Sequence, residues 1–552
     1  MNNTELRNQI DRAACELRDK DMPELTDELF GLFEKNGNRL EYENVYFPRR
    51  RFLAVYGIKA ILSGKQEDIR KLEQVIKEIC KEKTWALPAH CDRKKRPDVE
   101  KEIDLFNSET AGALSEIVEN LGDLLDPAVR SLVKEEVGRR CLIPFASSDQ
   151  RYGFEHALHN WNAVCCGSLG VALMNLGEEI IGKEKTAEAL SRINSSLLTF
   201  VDSFPGDGAC LEGAGYFNYG VSFLMAYARR YREWAGDDPD AVKDPKIKKI
   251  AGFPNAAFFS NGMAVNFSDS GIHEKLHAGT LQALQEICGT DYSFGEEILQ
   301  DFDSDPCYRF LPLLDDVRHG GELELGGKSL KKRLTVLSDS EWVISENGKG
   351  QYFAVKGGNN GEPHNHNDVG SYIYIDGNDV IACELGAGEY TADYFGAGRY
   401  GILCNGTQGH SLPMIGGKGQ LVGKEARAKD FRHEEKEGIL TVSMDLTDCY
   451  ENAEKVMRTL EFNEISGELT VRDEILTDKD VTDRIVSKKN IGNNIEILSK
   501  NTITEIHNEI FRNHEGTEEK IFIFELKEEK NEGNQEGDHR KGLHSYTYRL
   551  HP

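Results

Sequence analysis

The hydrophobic period of this 552-residue chain changes once, near Arg333, and a chain with one such change builds two differently layered bodies. Before it, apolar residues recur at every third and fourth position, as in "DLFNSETAGALSEIVENLGDLL" and "NAVCCGSLGVALMNLGEEIIG", which is the spacing of amphipathic helices. Connections such as "FPGDGACLEGAG" join helix to helix, and helical hairpins linked in this way stack into a bundle or a ring. After it, "RLTVLSDSEWVISENGKGQYFAVKGG" and "GSYIYIDGNDVIACELG" alternate and break at glycine turns, which predicts antiparallel strands. The pattern continues to about residue 526, where "LKEEKNEGNQEGDHRKG" reads as a charged, poorly ordered segment. The expected class is α+β multidomain, with a helical body over 1–320 and an antiparallel β body over 321–552. "LLDDVRHGGELELGGKSLKKR" is the predicted linker.

With 67 basic and 94 acidic residues, a formal net charge of -27, the chain is a poor fit to nucleic acid as its main partner. An anionic ligand is not excluded, because charges beyond ~8 Å are largely screened at physiological salt. "FPRRRF", residues 47–52, is either a wall of a polyanion groove or a solvated face. The start, "MNNTELRNQIDRAACELRDKD", reads as a polar helix without the apolar core of a signal peptide, and no run is expected to span a membrane. A cytosolic location and no membrane partner are expected. Twelve cysteines without a CxxC pair suit reduced, buried thiols.

"GEPHNHNDVGSY", residues 361–372, lies where the alternating pattern begins. In an extended chain His364, His366 and Asp368 share one face while Asn365 and Asn367 point away. The run is either a polar surface loop or a pair of imidazoles facing one cavity. Downstream, Glu384 in "IACELGAG" and His410 in "GTQGHSLPM" are each flanked by glycine. Two imidazole nitrogens and a carboxylate suit Zn²⁺ or a similar ion with a fourth position open to water. In the helical half, "HALHNWNAV" places His159, Asn160, Trp161 and Asn162 at the start of an apolar helix, which Asn160 alone would explain as an N-cap. Tyr216, in "CLEGAGYFNYGVSF", and Tyr219 one turn on both read as packing residues when taken singly.

Together, "HNWNAV", "EGAGYFNYG", "HNHNDVGSY", "CELGAGEY" and "GTQGHSLPMIGG" resemble the heparinase II/III-like polysaccharide lyases, a family that includes alginate and oligoalginate lyases. The resemblance spans roughly residues 80–420. It implies an N-terminal incomplete (α/α) toroid followed by a C-terminal antiparallel β-sandwich, with the active site between them. It also implies β-elimination at a uronic acid: the C5 proton is removed, the C4 oxygen leaves, and the product carries a double bond. By the family pattern Asn162 stabilises the substrate carboxylate as charge builds on it, with His159 as helper. Tyr216 protonates the leaving oxygen, and His364 is a base or a second carboxylate donor. His366, Glu384 and His410 match the metal position, which implies a divalent ion of zinc character in a structural role, although an aspartate is more usual where Glu384 stands. Tyr390, Arg399 and Tyr400 match the loop of substrate contacts, with Arg399 a natural clamp for carboxylate or sulfate. The implied partner is an anionic uronate-containing oligosaccharide or polysaccharide, a glycosaminoglycan in preference to alginate. A metal-dependent hydrolase and a non-catalytic glycan-binding protein are the other readings.

Overall fold

The computed structural model describes residues 3–91, 94, 97–328, 330–528 and 542–552. Most of the charged segment read from 526 to 542 lies outside the described residues. The N-terminal part is an incomplete (α/α) toroid. Of its inner helices, Asn160–Ala172 packs on both Leu105–Leu121 and Ala214–Ala235. The first begins at Asp104, whose carboxylate accepts the Asn107 N–H at 2.7 Å and so satisfies one of the bare donors of a helix start. The second approaches the third closely because its contact positions are glycines. A Cβ at Gly167 would lie 2.7 Å from the Phe223 carbonyl oxygen, and one at Gly170 would meet the Tyr227 ring. Contrary to the expectation above, Asn160–Ile181 is long and apolar enough to cross a membrane, but it is mostly buried in the ring and serves as core.

The arginines of the basic cluster are held in internal ion pairs. Residues 47–52 lie inside the helix Leu40–Ser63, where Arg49 and Arg50 are buried and both donate to the Glu82 carboxylate, Arg49 Nε at 2.7 Å. Arg51 pairs with Glu16 and Asp303. The predicted linker is also displaced: its first half belongs to the helix Phe310–His319, with Leu313, Leu314 and Val317 in the toroid core, and Arg333 already lies in the strand Lys332–Leu337.

The C-terminal part is an antiparallel β-sandwich. One sheet runs Lys332–Leu337, Trp342–Asn347, Gln351–Lys356, Tyr372–Asp376 and Asp379–Ala382 in sequence order. A six-stranded sheet packs on it, with Phe353 stacked on Phe462 at 5.6 Å. The five-stranded sheet is apolar on both faces. Trp342, Ile344, Tyr352, Ala354, Ile373 and Ile375 belong to the toroid core, while their alternates Val343, Phe353, Val355, Tyr372 and Tyr374 belong to the sandwich core. That is why "SYIYI" reads as an unbroken apolar run. The loops at one end of this sheet, between Lys356 and Tyr372 and after Ala382, carry the histidines and Glu384.

Candidate active site

A cavity of about 1010 Å³ opens between the inner toroid helices and those loops. Tyr216 enters it from the first turn of the helix Ala214–Ala235. The preceding Gly213 has φ 94°, and any side chain there would run into Ser270. His364 enters from the facing loop with φ 51°, a left-handed conformation that costs a non-glycine residue about 1–3 kcal/mol and persists where the surroundings enforce it. The Tyr216 ring stacks on the His364 imidazole with centroids 4.2 Å apart. The Tyr216 hydroxyl lies 2.5 Å from that of Tyr390, which donates to Asp269 at 3.2 Å.

Asp269 joins these groups, and no local pattern marks it in the sequence. One oxygen accepts from His364 Nδ1 at 2.9 Å and from Tyr390; the other accepts from His366 Nε2 at 2.9 Å and from the Tyr394 hydroxyl. Burial alone would raise the pKa of this carboxyl, but the two imidazoles outweigh burial and hold it well below the usual carboxylate range. Burial would likewise lower His364, yet its hydrogen bond to Asp269 raises it. His364 Nε2 lies 3.6 Å from the buried Glu212, whose pKa burial pushes up to about 7. Burial, aided by Asp269, raises the Tyr216 phenol above its ordinary value, so the hydroxyl keeps its proton.

The extended-chain argument for "HNHND" fails in detail, because the segment is a loop and His364 is left-handed. His364 faces the cavity. His366 and Asp368 face a buried cluster on the far side of Asp269. In the toroid, His159 holds the cap position without capping, and Asn160 is the first helical residue; both line the cavity, and His159 Nδ1 and Asn160 Oδ1 are buried without hydrogen bonds. Burial lowers the His159 pKa, with the neighbouring His364 adding to the effect. Asn162 is not on the cavity: it is buried and donates to the Glu155 carbonyl at 3.1 Å. Tyr390 lines the cavity, whereas Arg399 and Tyr400 do not. Arg399 donates to the Asn365 carbonyl at 2.8 Å and to the Tyr394 carbonyl at 3.1 Å, and Tyr400 donates to the Asn365 side chain at 3.1 Å. The two therefore hold the histidine loop in place.

His366, Asp368, Glu384 and His410 are buried, with one potential ligand atom from each lying within 4.8 Å of the others. Asp368 joins the three residues that the resemblance implied. Each residue commits one atom to the protein: His366 Nε2 to Asp269, Asp368 Oδ1 to Lys356 at 2.9 Å, Glu384 Oε1 to Ser371, and His410 Nε2 to the Cys404 carbonyl at 2.9 Å. Of the other atoms, His366 Nδ1 and Asp368 Oδ2 have no hydrogen bond, whereas His410 Nδ1 and Glu384 Oε2 lie 2.7 Å from each other. Four convergent nitrogen and carboxylate donors, two of them unpartnered and two paired only with each other, each residue oriented by an outer partner, are a donor set that fits a divalent cation. The buried Arg458 braces the loops that carry them, donating to the Gly370 carbonyl at 2.9 Å and the Ser411 carbonyl at 2.7 Å while paired with Asp473.

Neither a family model nor a curated protein matches the chain. Among solved structures, heparinase III superposes with a TM-score of 0.59 at 13% identity, over 92% of this chain and 75% of that one. Heparan sulfate lyase HepC from Pedobacter heparinus superposes at 0.55 with 11% identity, over 99% and 87%. The chain therefore has the fold of the heparinase III and heparan sulfate lyase structures, an incomplete (α/α) toroid joined to an antiparallel β-sandwich.

Proposed function

We propose that the protein is a polysaccharide lyase that cleaves uronate-containing glycans by β-elimination. The observation that carries this reading is the Tyr216–His364 stack in a cavity that Asn160 and His159 also line. His364, with its Nδ1–H held by Asp269, takes the C5 proton in its neutral form. The freed electron pair forms the C4=C5 bond, the C4–O4 bond breaks, and the Tyr216 hydroxyl gives its proton to the departing oxygen. Asn160 and His159 receive the substrate carboxylate, whose charge grows as the C5 proton leaves. Asn160 takes the place expected of Asn162. With base and acid side by side, hydrogen and oxygen leave from one face of the ring, as they do in glucuronate- and mannuronate-configured sugars.

His366, Asp368, Glu384 and His410 would hold a divalent ion, zinc by donor type, whose chemistry is to fix the loops that carry His364. Burial of all four residues favours this structural role over metal-activated hydrolysis. Ultraviolet absorbance across a panel of uronate polymers and oligosaccharides tests the reading. An absorbing unsaturated product is expected, and cleavage without absorbance would replace elimination by hydrolysis.

A further inference from the structure

The cavity continues past the catalytic stack. Tyr219 shares the face of Tyr216 one helical turn on, a spacing of about 5–6 Å. The Arg309 guanidinium lies over the Tyr219 ring, 3.6 Å from its centroid. Nη1 of Arg309 is committed to Asp305 at 2.8 and 3.1 Å, whereas its Nε is buried with no hydrogen bond. The Tyr219 hydroxyl donates to Glu109 at 2.5 Å, and Glu109 lies one turn from Phe106 on the helix Leu105–Leu121. Phe106 stacks on the His90 ring at 6.1 Å, and His90 meets Trp161 edge-on at 4.8 Å. His90 is itself fixed through Nδ1 by the buried Asp104 at 2.7 Å. Trp161, His90, Phe106, Tyr219 and Arg309 all line the cavity, so an aromatic wall reaches from the helix start at Asn160 to one guanidinium.

We infer that this wall is a subsite for the sugar next to the uronate that is cleaved: the aromatic rings take the apolar face of a pyranose, and Arg309 takes its anionic substituent, a carboxylate or a sulfate. The assignment of that sugar rests on the lyase reading above. Pockets for such ligands combine aromatic walls with a few fixed polar groups. A guanidinium stacked on an aromatic ring is already oriented for a planar or tetrahedral anion, so little freedom is lost when the anion arrives. One helical turn between Tyr216 and Tyr219 is about the length of one sugar ring. Because Asp305 offsets part of the charge, Arg309 acts through a directed short-range contact.

The test uses the full chain with size-matched oligosaccharides: sulfated heparan-type, the same chains desulfated on the hexosamine, and oligomannuronate, whose neighbouring sugar carries a carboxylate. Arg309→Gln is expected to raise KM about 10- to 100-fold for substrates bearing an anion on that sugar. It should change kcat little and spare the desulfated chain. Whichever of the sulfated chain and oligomannuronate loses most identifies sulfate or carboxylate as the group bound. Trp161→Ala should raise KM for all three, with partial recovery in Trp161→Phe. Equal effects of Arg309→Gln on all substrates, or none, overturn the subsite, and Arg309→Lys with a native melting temperature guards against a folding artefact. Direct binding of the same oligosaccharides, followed by calorimetry, separates the two readings. Arg309-dependent binding without unsaturated product sinks the lyase and keeps the subsite, whereas unsaturated product without discrimination sinks only the subsite.

Discussion

The Tyr216 ring packs on His364 while its hydroxyl reaches Tyr390, so removing the hydroxyl alone separates chemistry from packing. Tyr216→Phe is expected to cut turnover ~100-fold or more while binding and melting stay near native. Near-native turnover would remove Tyr216 from the mechanism. Asn160→Ala should lower kcat ~100-fold with little change in KM, since its amide matters most as charge builds. Asn162→Ala should instead lower the melting temperature and spare kcat; the opposite pattern would restore Asn162 to the site. The sequence displayed both asparagines, but two positions on a helix differ by about 200° of rotation, so choosing between them needs the helix start to the residue. Asp269 was not legible at all, because its contact with His364 spans 95 positions and no spacing rule links them. Glu212 offers a check on the electrostatics. Its folded pKa of about 7 exceeds the ~4.3 of an unperturbed Glu, so its proton stabilises the fold fully below ~4.3, and that contribution is lost as pH rises through 7. Glu212→Gln should therefore be more stable than the native protein near about pH 8, by up to ~4 kcal/mol, and melt at the native temperature near about pH 4. Thermal melts at both values decide it.

Arg458 ties two loops to one strand, which makes the loops an element in their own right. Its guanidinium holds Gly370, two residues past Asp368, and Ser411, next to His410. Arg458→Met leaves Asp473 and Asp483 buried without their cation and should cost ~3–5 kcal/mol. If the proposed ion site of His366, Asp368, Glu384 and His410 depends on that brace, the variant should also retain less metal on dialysis. Elemental analysis of protein purified without added metal is expected to find about one divalent ion per chain, absent in His410→Ala. Chelation should lower melting and activity together, because an ion bound only to the folded state stabilises it by mass action. Prompt loss of activity at unchanged melting would mark a catalytic ion instead. This element was partly legible: the HxHxD run, Glu384 and His410 announced by residue type the side chains that meet in one buried cluster. Its geometry was not, since the strand rule presumed extended backbone where the loop turns left-handed at His364.

At the scale of the molecule, the change of hydrophobic period near Arg333 marked the passage from toroid to sandwich, because period follows directly from element geometry. What the pattern could not convey is how the two bodies are joined. "WVI", "YFAV" and "YIYI" read as plain strands, and only the structure gives alternate residues to different cores. We expect residues 1–320 expressed alone to aggregate, and 321–552 alone to show exposed apolar surface by dye binding. Soluble, monodisperse halves would count against the shared core. In calorimetry the intact chain should unfold in a single transition despite its length. Gene architecture follows from the same sheet: a lineage that exchanged the sandwich for another module would inherit a toroid with one raw face, so the two halves are constrained to be inherited, and to diverge, as one unit.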